Sequence, residues 1–159
     1  MKKLLLLAIL LFGLDTFAQS TIYINNTTSY QCTVYVTARG SRRPDCTQAI
    51  YTTFTLNPGQ SVSLDAFTDL PGPWYQGGTP NSYTSSQAAS LYAQPNWDVV
   101  RYHSIQGVPS CQGLQCGAEV NDDDCNQPKY QDTPSECCPF GSTWTDYGTY
   151  GVITMYQVF

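Results

Sequence analysis

Charge is scarce in this chain. Asp, Glu, Lys and Arg together make up 12% of its 159 residues, about half the usual share of about 25%. Basic residues are scarcer still, with 7 Lys and Arg against 12 Asp and Glu. Such a surface repels a phosphate backbone or an anionic lipid sheet, which argues against nucleic-acid binding. Histidine occurs once, at His103, and no Cys or His pair follows Cys111 and Cys116 at finger spacing. A zinc site therefore lacks half its ligands, and neither a metal nor a cofactor is expected. After Leu14 no second long apolar run appears, so no membrane-spanning helix is expected downstream of the first segment. Ala, Glu, Lys and Leu thin out after that segment, which disfavours coiled coils and helical bundles. What remains is 42% hydrophobic, with 12 Tyr, 12 Gly and 10 Pro. That is too apolar for a disordered chain and is the composition of an all-β protein.

The N-terminus has the parts of an export signal. Met1-Lys2-Lys3 is a short basic region, Leu4 to Leu14 an apolar stretch too short to cross a bilayer, and Thr16-Phe17-Ala18 a small-x-small cleavage site. Residues 1–18 are expected to be a signal peptide, and 19–159 a single secreted or periplasmic domain. Beyond Ala18 five basic residues face eleven acidic ones. All seven cysteines (Cys32, Cys46, Cys111, Cys116, Cys125, Cys137 and Cys138) lie in that part, and an oxidising compartment makes each a disulfide candidate. Seven is odd, so at most three bridges form within a chain. One thiol is left over, or links two chains in a disulfide-bonded dimer. Cys32 and Cys46 are close enough in sequence for a staple across a first hairpin.

Period-two alternation marks the strands. Ile22 and Ile24 share one face, and Cys32, Val34, Val36 and Ala38 oppose Thr33, Tyr35 and Thr37. Ile50 to Leu56 and Ser61 to Phe67 alternate as well, and Asn57-Pro58-Gly59-Gln60 between them has the residues of a hairpin turn. A breaker-rich stretch from Thr68 to Pro95 interrupts the pattern, with one short helix expected over Ser85 to Tyr92. Trp97 to Ser104 and Gly151 to Phe159 then alternate again. In the former, strict parity places Trp97 with Val99, Arg101 and His103. Cys111 to Gly141 shows little periodicity, so disulfides rather than a core are expected to hold it. The fold class expected is an antiparallel β-sandwich with a disulfide-stapled loop region over about 111–141.

Several segments, in order, resemble the thaumatin-like proteins in their short form. These are Ile22-Tyr23-Ile24-Asn25-Asn26 with Thr33-Val34-Tyr35, the turn Leu56-Asn57-Pro58-Gly59-Gln60-Ser61, and Trp97-Asp98-Val99. Gly107-Val108-Pro109, Cys111 to Val120, the vicinal Cys137-Cys138 and Tyr150-Gly151-Val152-Ile153-Thr154 complete the series. The resemblance implies a secreted β-sandwich with a β-1,3-glucan as ligand or substrate. It also implies a cleft holding an Arg, a Glu and several Asp, of which only Asp98 falls on a matching position. Ala88 stands where the Glu is expected, and the positions near Thr28 and Tyr156 lack the family's cysteines.

Residue chemistry points to binding more than to turnover, and no catalytic residue is assigned. Glycoside hydrolysis needs a pair of carboxyl groups across one cleft. Asp65, Asp69, Asp98 and Glu119 are the candidates, and no pair is evident. Asp122, Asp124 and Asn126 have the one-three-five spacing of a cation loop but lack its later positions, so a solvated acidic turn is expected. Arg39, Arg42 and Arg43 are expected at a solvated hairpin tip. Pro71-Gly72-Pro73-Trp74-Tyr75-Gln76-Gly77-Gly78 sets two adjacent aromatics among breakers and amides, suited to the apolar face of a sugar. Trp74, Tyr75 and Asp98 are the ligand-binding candidates. The expected function is a secreted, disulfide-bonded protein that binds a neutral carbohydrate or cell-wall polymer. A β-1,3-glucan hydrolase and a structural or inhibitory protein without a small ligand stand as alternatives.

Overall fold

A computed structural model of the chain describes residues 21–109, 112–121, 130–135 and 137–158. The expected signal peptide, Cys111, Cys125 and the acidic run 122–126 lie outside the described residues. Alternating apolar residues build the first two strands, β1 (Thr21–Asn26), which buries Ile22 and Ile24, and β2 (Cys32–Gly40), which buries Val34 and Val36. The strands that follow are β3 (Ile50–Leu56), β4 (Ser61–Leu64), β5 (Trp74–Gln76) and β6 (Ser82–Tyr83). Helix α1 (Ser85–Tyr92) comes next. Its N-cap Thr84 accepts from the Gln87 N–H while Gln87 accepts from the Thr84 N–H, a reciprocal cap that starts a helix within a breaker-rich stretch. The chain closes with β7 (Pro95–Ser104), β8 (Gly117–Asn121), β9 (Tyr130–Gln131), β10 (Phe140–Asp146) and β11 (Tyr150–Gln157).

The strands form an all-β sandwich of two sheets, ordered β10-β11-β1-β4 and β6-β5-β3-β2-β7-β8-β9. Antiparallel pairing dominates. The exception is β1 with β11, which run parallel from Thr21 opposite Tyr150 to Asn26 opposite Met155. The hairpin expected at Asn57 to Gln60 is instead a corner between sheets, while the first hairpin forms as β2 with β3. β1 pairs with β4 in the smaller sheet and β2 with β3 in the larger, so residues 27–31 and Asn57 to Gln60 each carry the chain across the sandwich. Asn26 ties the two corners together. Its buried side-chain amide donates to the Tyr30 and Leu56 carbonyls and accepts from the Thr28 N–H and hydroxyl, while its backbone carbonyl accepts from the Gly59 N–H. Gly59, at φ 73°, supplies the left-handed residue the corner requires.

The core lies between the sheets. Tyr102 of β7 spans it, its hydroxyl donating to the Gly141 carbonyl of β10 at 2.6 Å, and burial raises its pKa far above that of a free phenol. One end of the sandwich is filled by rings. Phe67 lies 5.1 Å from Trp74, 5.8 Å from Tyr92 and 6.2 Å from Trp97, beneath α1. The segment over 111–141 is not held by disulfides alone, because β8 extends the large sheet and buries Ala118 and Val120. Its weak periodicity reflects the shortness of β8 and β9. The Cys116–Cys138 bridge closes a separation of 22 residues, contributing about 3 kcal/mol by loop-closure entropy.

The Cys32–Cys46 staple is not formed. Cys32 is a buried thiol and Cys46 is bonded to a different cysteine. They sit at opposite ends of β2, whose nine residues span about 27 Å, well beyond the reach of a disulfide. Burial raises the Cys32 pKa, against the opposing pull of Thr28 and Asn26, so the reactive thiolate is disfavoured. Being inside the core, Cys32 is also out of reach of a second chain. The native protein is expected to leave Cys32 unmodified by a thiol reagent at pH 8 and to expose it on denaturation. Mass mapping of the labelled peptide checks this, and rapid native labelling of Cys32 contradicts it.

Candidate functional site

The solvent face of the seven-stranded sheet is set by register. Tyr75, Tyr51, Thr37 and Val99 lie in one row across β5, β3, β2 and β7. Thr53, Tyr35, Arg101 and Glu119 form the next row, followed by Thr55, Thr33 and His103. Aromatic residues therefore step diagonally over four strands. Tyr75 and Tyr51 lie 5.6 Å apart at 31°, and Tyr35 and His103 lie 5.4 Å apart at 35°. Between these pairs is an open groove of about 430 Å³, with Thr37 and Val99 at its floor, Tyr35 and Tyr51 at its sides, and Arg101 and Glu119 at one end. Arg101 and Glu119 form an ion pair. Asp132 braces it from beyond β8, accepting the Glu119 N–H at 2.8 Å.

A β-bulge decides which residues of β7 reach this face. Thr37 pairs with Val99 but Ala38 pairs with Trp97, leaving Asp98 as the extra residue. The bulge shifts the alternation, so Trp97 joins the buried side with Val100 and Tyr102, while Val99, Arg101 and His103 face out. Strict period-two parity misplaces Trp97 for this reason.

Of the three ligand-binding candidates, only Tyr75 faces solvent, 41% exposed. Trp74 is fully buried, and its indole N–H donates to the Phe67 carbonyl at 3.2 Å. Alternation along β5 turns it inward as it turns Tyr75 outward, so Trp74 offers no face to a sugar. Asp98, 3% exposed, is gripped by Arg39, 8% exposed, through Nε at 2.9 Å to both carboxylate oxygens and Nη2 at 2.8 Å. It is a structural counter-ion rather than a ligand contact. Of the arginine cluster, Arg39 departs from a solvated tip because it is inside; the Arg43 guanidinium stacks 5.0 Å over the Tyr92 ring, and Arg42 stays exposed.

Three of the four candidate carboxylates are engaged by the fold itself. Asp69 caps its own turn, accepting the Asp65 and Ala66 N–H groups at 2.6 and 2.8 Å. Asp98 is enclosed with Arg39, and Glu119 is engaged by Arg101. Ala88, where the thaumatin-like resemblance would place an acid, is on the buried side of α1. Tyr35, Tyr51 and His103 were missed as a group because each is an isolated polar-face residue of a different strand. Their available signal was an aromatic at the outward position of three strands. Among the described residues no three His, Cys, Asp or Glu side chains converge as a metal site, and no helix is long and apolar enough to cross a membrane. Comparison with family models, curated proteins and solved structures returns no match.

Proposed function

We propose that this chain is an exported, disulfide-bonded binding protein whose seven-stranded sheet face holds a neutral polysaccharide. The groove between Tyr35 and Tyr51 is the observation that carries this reading. Tyrosine presents a large rigid face with few rotatable bonds, so little entropy is lost when a ring stacks on it. The Thr37 hydroxyl in the groove, the Thr53 hydroxyl beside Tyr35 and the charged pair at the groove's end supply partners for sugar hydroxyls. Scarce basic charge disfavours a polyanionic ligand. The resemblance to thaumatin-like proteins makes β-1,3-glucan one member of the class to test. Enclosure of Asp98 and engagement of Glu119 support binding without hydrolysis, since general acid chemistry needs a carboxyl group placed to give a proton to the glycosidic oxygen.

Sedimentation of the oxidised protein with insoluble β-1,3-glucan, cellulose and chitin tests the proposal. Retention on at least one of these is expected, without release of reducing ends. Tyr51→Ala should weaken it about tenfold, equivalent to about 1.4 kcal/mol. Protein that stays in the supernatant with all three rejects the reading, as does a Tyr51→Ala variant retained as well as the native chain.

A further inference from the structure

The opposite face of the sandwich carries a second aromatic platform. Tyr147 and Tyr150, at the turn joining β10 to β11, stack at 5.0 Å and 16°, and Tyr23 of β1 meets Tyr150 edge-on at 5.7 Å. The three are 56%, 37% and 42% exposed, so the cluster presents ring surface to solvent instead of filling a core. The turn holds them in place. The Tyr147 N–H donates to the Tyr150 carbonyl at 3.0 Å, Gly148 takes φ 84°, and the Asp146 carboxylate accepts the Gly148 N–H at 2.6 Å. The nearest acidic group is thereby engaged within the turn.

The sheet beside this platform has no charge on its outward positions. The row through Tyr23 is Ser63, Tyr23, Val152 and Thr145, and the row through Asn25 is Ser61, Asn25, Thr154 and Thr143. Solvent faces of sheets are commonly laced with Lys and Glu. Here hydroxyls, one amide and one valine take those places. An apolar protein surface docked on these rows would strand the Ser and Thr hydroxyls without partners, at a cost per group. A polyhydroxylated chain answers each hydroxyl with another and covers the rings with its C–H faces.

We propose that the four-stranded face around Tyr23, Tyr147 and Tyr150 is a second neutral-polysaccharide site, so that one protein molecule bridges two polysaccharide chains. The bridging part rests on the groove reading above. Packed sheets lie about 10 Å apart, and the two faces point in opposite directions. A chain lying along one face does not reach the other without wrapping the domain. Two sites of modest affinity then act as a cross-link, and each also strengthens retention on a particle through effective concentration.

A capture experiment separates this from the groove reading. Insoluble β-1,3-glucan or cellulose particles are coated with the full oxidised protein, washed, and offered dye-labelled soluble β-1,3-glucan or hydroxyethyl cellulose. Dye is expected on coated particles and not on bare ones. The pair Tyr147→Ser with Tyr150→Ser should stay on the particles through its groove, more weakly than the native chain, which shows that it is folded and that its groove works, yet capture about tenfold less dye per bound molecule. Coated particles that hold the native protein but capture no dye overturn the bridging proposal while leaving the groove reading intact. Undiminished capture by the paired variant overturns it too, because bridging through two grooves of a dimer survives those substitutions. Absence of the native protein from every particle instead removes the groove reading, and the bridging proposal falls with it.

Discussion

Asp98→Ala is expected to lower the stability of the folded chain by about 3 to 5 kcal/mol, the usual cost of removing one partner from a buried ion pair. The substitution strips the Arg39 guanidinium of a carboxylate bound through two of its nitrogens, at a place where Arg39 is 8% exposed and Asp98 3%. Water cannot substitute freely there. Against a total of about 5 to 15 kcal/mol for a typical domain, this is a large fraction. A urea melt followed by Trp fluorescence measures it. The double replacement Arg39→Met with Asp98→Leu should lose less than Asp98→Ala alone, because no charge is left uncompensated. A midpoint unchanged in Asp98→Ala would mean that the pair contributes nothing to stability.

Trp74→Ala should cost about 3 to 5 kcal/mol for a different reason, the cavity left when a buried aromatic is deleted. Trp74 lies 5.1 Å from Phe67 and 6.3 Å from Trp97, and its indole N–H donor is lost with the ring. Tyr75, its neighbour in sequence, has the reverse profile. Tyr75→Ala is expected to change stability by about 0.5 kcal/mol or less and to weaken polysaccharide retention, because its ring leans on Tyr51 at the groove. Thermal melts and sedimentation on the same two variants check both halves. Equal stability losses for the pair, or a folded Trp74→Ala with abolished retention, contradict the assignment of Trp74 to the core.

Much of the fold was legible because period-two alternation is a local signal. Ile22 and Ile24, Val34 and Val36, and Ile153 and Met155 each declare an inward face without reference to any other strand. Whether the strands flanking Asn57 to Gln60 pair with each other was not legible. A turn that closes a hairpin and a corner that crosses between sheets draw on the same Pro and Gly preferences. The choice falls to partners far away in sequence, since β4 pairs with β1 and β3 with β2. In the candidate site, a Trp next to a Tyr in a loop composition offered two rings, and only the pairing of β5 with β3 decided which one faces out.

Composition and local pattern by themselves determined that this chain is all-β, that its surface is poor in charge, and that its cysteines suit an oxidising compartment. Each of these depends on residue type or on spacing within a few residues, and needs no knowledge of neighbours across the fold. The tertiary structure alone decided that Cys32 is a core thiol, that Asp98 answers Arg39 rather than a ligand, and that Tyr75, Tyr51, Tyr35 and His103 lie along one face. The physical reason is that burial and charge pairing belong to positions in space. One extra residue at Asp98 is enough to invert the alternation of Trp97 relative to Val99, and register across four strands, β3, β2, β7 and β8, is what gathers single outward side chains into a groove.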